Sequence, residues 1–317
     1  MKKEIVISVL IYFSVIITVL LIIPFLSENI SKVFSENKTP YEIYHELGKD
    51  NNEETNISNT LSDYSPTEFM EKEYTIPTEE QIQDIIVPKG KPMITLVIDD
   101  YGYSLEEPVI TSITSSIPIT VAIIPFLKYS KTINNLAKMY NKEVIIHLPM
   151  EAYKLKIKDT PYIKKGQDST EIIRILEKAT QELEGVGMNN HMGSEATEDP
   201  EVMETIIRFL KRKNLFFLDS LTTPNSVGYK KAKEMGLVPL KRDVFLDNYP
   251  SQYYIEDQLR MVEKVATKKG YCIAIGHIRE NTIKTLMKWY QDNKSNYRFT
   301  TLKNLYEELT KLEISKK

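Results

Sequence analysis

From Ile94 onward, short β-branched runs alternate with helical patterns of 10–16 residues. That alternation predicts repeated βα units around a parallel sheet. The predicted strands are Ile94–Ile98, Thr120–Ile124, Glu143–Ile146, Gly187–Asn189, Leu215–Leu218, Val238–Leu240 and Tyr271–Ile275, with an eighth candidate at Arg298–Thr300. Helices fill the gaps. Three of them carry start signals: Asp168 with Glu171 three residues on, Asp199 before Pro200, and Thr223 before Pro224. Each offers a side-chain acceptor followed by a residue suited to a first helical turn. Seven or eight such units favour a closed or nearly closed (β/α)7-8 barrel over an open doubly wound sheet. The glycine fingerprint of a dinucleotide fold is also missing after the first strand, where the chain reads Ile98-Asp99-Asp100-Tyr101-Gly102.

Upstream of Ile94 the pattern changes twice. Ile5–Leu26 is a run of 22 residues without a charge, and a helix of that length reaches about 33 Å, enough to cross a bilayer core. Lys2 and Lys3 precede it, so the positive-inside rule places the N-terminus in the cytoplasm and the rest of the chain outside. The rival reading is a cleaved leader, whose apolar region is usually about 7–15 residues and ends in a small-residue cleavage site. Here the run leads through Pro24 into Ser27-Glu28-Asn29, which favours an uncleaved anchor. Ser27–Lys91 then carries 14 Asp/Glu against six Lys/Arg with little periodicity, and reads as a disordered acidic tether. The expected organisation is an anchor at 1–26, a flexible linker at 27–91 and one barrel domain at 92–317.

Composition narrows the classes. The chain has 317 residues, 42% apolar and 27% charged, which excludes collagen-like, wholly disordered and polytopic membrane proteins. A net charge of −3 gives no electrostatic footprint for nucleic acid. The single cysteine, Cys272, rules out a disulfide framework and a Cys-cluster metal site. It lies inside an apolar strand and reads as a buried thiol.

Chemistry in parallel βα barrels sits at the carboxyl ends of the strands, where the βα loops gather. The polar outliers fall there: Asp99-Asp100 after the first strand, His147 after the third, Asn189-Asn190-His191 at the fourth, Asp219 at the fifth and His277 at the seventh. Three of the four histidines in the chain share this position. The fourth, His45, lies among polar residues and reads as solvated. Two aspartates and three imidazoles at one barrel mouth suit zinc or a similar divalent ion.

The segments ITLVIDDYGYS, VAIIPF, EVIIHLPMEA, GMNNHMGSEAT, LFFLDS, RDVFLDN and AIGHIRENT, in that order over most of residues 92–312, resemble the divergent polysaccharide deacetylases. The resemblance implies an irregular βα barrel and a deacetylase ancestry. By it, Asp99 would be the general base, Asp100 and His147 metal ligands, and His277 the general acid. The second histidine of the family's H-x-x-x-H motif is replaced by Glu151. His191 is therefore the choice for the missing imidazole, with Glu151 either a substitute ligand or an acceptor orienting His147. The arginine-containing third motif has no counterpart that can be placed. Asp219 would hold His277 or substrate, or else cap a helix or strand end. Asn189 and Asn190 would donate to a sugar or a developing oxyanion, or satisfy backbone groups.

The expected function is a membrane-anchored, extracytoplasmic deacetylase that uses a divalent metal, zinc by preference, to remove acetyl groups from an envelope polysaccharide. A non-catalytic glycan-binding or envelope-organising module on the same barrel is the alternative. A third reading is a glycosidase using Asp99 and Asp219, which would need carboxylates about 5–10 Å apart.

Overall fold

The computed structural model describes residues 90–154, 157–158 and 160–315. The predicted anchor at Ile5–Leu26, His45 and nearly all of the tether lie outside the described residues. Among the described residues, no helix is long and apolar enough to cross a membrane.

The chain alternates strand and helix throughout: β1 (Met93–Tyr101), α1 (Glu107–Thr114), β2 (Ile119–Ile123), α2 (Ser130–Met139), β3 (Glu143–Met150), α3 (Ser169–Glu182), β4 (Gly187–Met192) and α4 (Pro200–Arg212). It continues with β5 (Phe216–Asp219), α5 (Gly228–Glu234), β6 (Leu240–Lys241), β7 (Val244–Phe245), α6 (Gln252–Lys269), β8 (Tyr271–His277), α7 (Glu280–Asn293), β9 (Arg298–Thr300) and α8 (Leu302–Ser315). Every strand pairing is parallel, in the order β6-β5-β4-β3-β2-β1-β8-β7, with β9 on the lower half of β1.

The two ends of that order are joined by only Arg242 and Asp243. Three Cα–Cα steps separate Lys241 from Val244, at most about 11 Å, so the sheet must curl until its edges almost meet. Arg242 N–H donates to the Asp219 carbonyl on one side of the seam, and Asp243 N–H to the Ile273 carbonyl on the other. The result is a curled, incompletely closed parallel barrel. Strand β7, only two residues long, escapes a periodicity reading, and β6 starts where the predicted sixth strand ends.

Asp168 and Asp199 cap α3 and α4 as their spacing predicts, accepting from Thr170 N–H and from Glu201 and Val202 N–H. The helix expected at Pro224 instead begins at Gly228. Thr223 Oγ1 accepts from Asn225 N–H, in a turn, and the acceptor for α5 comes from Asp219, whose Oδ2 takes the Tyr229 N–H. A Cβ at Gly228 would lie 2.9 Å from that oxygen and 2.7 Å from the Phe217 ring, so glycine permits the close approach.

The inner core decides which way the functional residues point. Val97, Ile145, Leu218 and Ile275 share one buried cluster with Leu302, Leu305 and Leu309 of α8. Helix α8 thus fills one end of the barrel, its start tied to the beginnings of β2 and β3 by bonds to Thr120 and Glu143. Each fully buried leucine contributes about 1.5–3 kcal/mol. Side chains alternate along a strand, so two residues above these inner positions stand Asp99, His147, Ser220 and His277. All four face inward at the end opposite α8.

Candidate metal and acid-base site

Strand register builds the site. His147 on β3 lies beside Asn189 on β4, and Pro149 beside His191. Asn189 and His191 are two apart on β4 and share the inward face, while Asn190 faces away. On the other side of the barrel, Asp99 pairs with His277. Alternation alone would send Asp100 outward. However, β1 carries an irregularity between Ile98 and Tyr101, where three steps on β1 match two on β2. Asp100 also has φ 69°, a left-handed conformation that aspartate tolerates better than most residues. The bulge swings its carboxylate back to the mouth, so the two carboxylates face one imidazole rather than opposite sides.

Three atoms then converge. Asp100 Oδ1 lies 3.0 Å from His191 Nδ1 and 3.3 Å from His147 Nε2, and the two nitrogens are 3.2 Å apart. Oδ1 is buried with no hydrogen bond of proper geometry. An ion bound at about 2.0–2.2 Å by such ligands holds neighbouring donor atoms roughly 3.0–3.5 Å apart. The triangle has those edges, and its orphaned oxygen fits a cation as the missing partner. Asp100, His147 and His191 are therefore the residues that can hold a metal.

The surrounding groups set protonation. Asn189 Nδ2 donates to Asp99 Oδ1 at 2.9 Å and to Ser220 Oγ at 3.2 Å, while its Oδ1 lies 2.9 Å from His147 Nδ1. Burial raises the Asp99 pKa more than the neighbouring His147 lowers it. Burial also opposes the charge on Asp100, but His277 and His191 outweigh it and hold that carboxyl well below its usual range. For His147, burial disfavours the cation, and Asp99 and Asp100 overcome it, so its pKa rises.

His277 Nδ1 donates to Asp247 Oδ1 at 2.9 Å, leaving Nε2 directed at the site, 3.7 Å from Asp100 Oδ2. Burial lowers the His277 pKa, yet Asp100 and Asp247 together lift it to about 9. Asp247 is fully buried and its Oδ2 accepts from Thr282 Oγ1 and from His277 N–H. The Phe245 ring meets the His277 ring edge-on, and the Arg242 guanidinium covers Phe245. The open side of the site is formed by Asp100 and His277, 28% and 20% exposed, against 3% for His147.

Several expected roles move. His277 is held by Asp247, not Asp219. Both oxygens of Asp219 are committed to its own loop, accepting from Leu221 N–H, Ser226 Oγ and Tyr229 N–H. Asp219 is outward and fully buried, so it cannot be the second carboxylate of an Asp99–Asp219 glycosidase pair. Glu151 does not reach His147, whose acceptor is Asn189; its Oε2 takes the Lys165 N–H instead. Asn190 ties the β4 exit to the next loop, donating to the Met192 carbonyl and accepting from Ser220 N–H. Asp247 and Ser220 were not singled out in the sequence. Asp247 sits within RDVFLDN, at the exit of a strand too short to show alternation.

Residues 96–306 match the model of the family described as divergent polysaccharide deacetylase. The chain belongs to the divergent polysaccharide deacetylase family. Within curated proteins, it is 36% identical over 217 residues to an uncharacterized protein of Haemophilus influenzae, covering 67% of this chain and 76% of that one. It is 33% identical over 197 residues to the uncharacterized protein YibQ of Escherichia coli, covering 62% of this chain and 61% of YibQ, less than two thirds of that relative's length. Among solved structures, an uncharacterized protein of Agrobacterium tumefaciens superposes with a TM-score of 0.64 at 17% identity, covering 73% of this chain and 98% of that one. That likeness concerns the fold.

Proposed function

We propose that this divergent polysaccharide deacetylase is an active metal-dependent hydrolase that removes acetyl groups from an envelope polysaccharide. One observation carries the reading: a cation-shaped triangle, a carboxylate base and a proton-bearing imidazole meet at one inward-facing rim. When bound at Asp100, His147 and His191, a divalent ion such as zinc supplies carbonyl polarisation and a water whose pKa falls from 15.7 towards about 7.

The chain's own residues do the rest. Asp99 keeps Oδ2 turned into the site while Asn189 occupies Oδ1, and burial raises its pKa, which strengthens the carboxylate as a base. His277 holds a proton on Nε2, because Asp247 takes Nδ1–H and the neighbouring carboxylates favour the cation. It delivers that proton to the departing amine or alcohol. Burial of Asp99 and His147 keeps bulk water away from the transfer. The uncharged run Ile5–Leu26 and the acidic segment after it support an anchored protein working outside the cytoplasm.

The test uses the full-length chain in mild detergent. It should carry close to one divalent ion, and it should release acetate from acetylated envelope oligosaccharides, with activity lost on chelation and restored by zinc. Bound metal without acetate release from any acetylated envelope glycan would replace this reading with a glycan-binding module.

A further inference from the structure

Asn189 is buried completely, on the inward face of β4 between the two functional halves of the site. Its amide has two ends, and each meets a different functional group. The carboxylate of Asp99 can only accept, so the amide end that touches it must be the NH2. The carbonyl end is thereby forced towards His147. An amide oxygen can only accept as well, so His147 Nδ1 must carry a hydrogen. In the neutral ring, Nε2 is then left with a bare lone pair, and Nε2 is the atom that forms the triangle with Asp100 Oδ1 and His191 Nδ1. Ser220 Oγ, 3.2 Å from Nδ2, braces the NH2 end against rotation.

We propose that Asn189 is the positioning residue that couples the two chemistries. Its oxygen selects the His147 tautomer that can bind metal, and its nitrogen aims the Asp99 carboxylate. The nearby arginine and the glutamate of the divergent motif are both committed elsewhere. Arg242 bonds the Ser220 and Leu221 carbonyls, and Glu151 bonds Lys165. The inference rests on the hydrolase reading only for the meaning of the Asp99 contact. The tautomer and metal contacts stand without it.

Two substitutions separate the two ends. Asn189→Leu removes both while keeping the branched outline of the side chain, whereas Asn189→Asp keeps an acceptor for His147 and replaces the amide donor with a carboxyl that must share a proton with Asp99, which spoils that carboxylate as a base. The full-length chain holds only four histidines, so 15N-histidine labelling resolves each ring by two-bond proton–nitrogen correlation, followed up to a pH where His147 is neutral. The wild type and Asn189→Asp should show His147 protonated at Nδ1, and Asn189→Leu should shift towards the Nε2–H form. Zinc affinity should fall about 10–100-fold in Asn189→Leu, the usual effect of losing an outer partner of a metal-binding histidine, and should hold in Asn189→Asp. At saturating zinc, both should lose kcat with KM little changed. Near-UV circular dichroism identifies folded variants. If Asn189→Leu unfolds, Asn189→Asp decides: a lost Nδ1–H signal or zinc affinity reduced tenfold would overturn the proposal. An unchanged tautomer and zinc affinity in folded Asn189→Leu would overturn it too. Failure of every form to release acetate would sink the hydrolase reading alone and leave the tautomer result to judge this one.

Discussion

Asp99 and Asp100 are chain neighbours, yet both carboxylates face one imidazole, with oxygens 3.6 and 3.3 Å from His147 Nε2. A regular strand would have parted them. The bulge at the end of β1 and the left-handed backbone of Asp100 bring them together. Two carboxylates side by side repel, and the surrounding imidazoles compensate. Burial and mutual repulsion raise the first, while His277 and His191 hold the second ionised.

That arrangement predicts distinct outcomes at Asp100. Asn accepts the left-handed conformation nearly as well as Asp, so Asp100→Asn should fold while its metal affinity drops by more than about 100-fold, beyond the loss expected for an outer partner. Asp100→Val should also lose metal and cost a further ~1–3 kcal/mol of stability, because a β-branched residue is strained there. Calorimetric zinc titration and denaturant unfolding measure the two effects. Equal stability of the Asn and Val variants would show that the backbone at this position is relaxed.

Asp247 should govern proton delivery without touching the metal. Asp247→Asn removes the carboxylate that holds His277 Nδ1–H, the His277 N–H and the Thr282 hydroxyl. We expect kcat to fall about 10²–10⁴-fold, the usual worth of a positioned acid, with metal content unchanged. The alkaline limb of the kcat profile should move to lower pH as His277 loses its supporting charge. Loss of metal together with activity would mean that Asp247 acts on the whole site.

How far the sequence carried is visible in particular residues. The barrel was legible because β-branched runs alternate with helical patterns, and Asp99, His147, His191 and His277 were legible because polar residues interrupt those runs at their carboxyl ends. Parity was not. In Leu215–Ser220 both strand faces are apolar, one packing inward towards α8 and the other against outer helices, so nothing marked Asp219 as outward and Ser220 as inward. Asp100 was legible as a ligand, but its direction was hidden for the opposite reason, since its parity is simple and a bulge overrides it. Asp247 follows a two-residue strand with no period to read. The partnership of Asn189 with Asp99 joins positions 90 apart, which only the folded register brings together.

The metal-free protein should lose stability as pH rises. The His277 pKa stands at about 9 against an ordinary 6.5, so the folded state binds more protons than the unfolded one between those values. Its contribution is complete below pH 6.5 and is lost as pH passes 9, about 3 kcal/mol in all. Urea unfolding in the presence of a chelator should show this slope, and His277→Gln should flatten it. Bound metal should reduce the slope as well, because it offsets the charge on Asp100 that helps to raise the pKa. A stability that climbs from pH 6.5 to 9 would contradict the assignment.

Glu151 offers the sharpest division between ligand and scaffold. Its Oε2 accepts the Lys165 N–H, its own N–H donates to the Ile163 carbonyl, and its carbonyl accepts from Glu195 and Ala196. It therefore pins two loops to the exit of β3. Glu151→Gln retains an oxygen acceptor and should leave zinc affinity intact, with stability changed by less than about 0.5 kcal/mol. Glu151→Ala loses the side-chain bond, which should cost about 1 kcal/mol and speed proteolytic cutting between Lys154 and Gln167, again without loss of metal. His191→Ala, in contrast, removes one corner of the triangle and should abolish tight binding. If zinc titration found Glu151→Gln as impaired as His191→Ala, the glutamate would belong among the ligands, and its bond to Lys165 would have to break for the ion to bind.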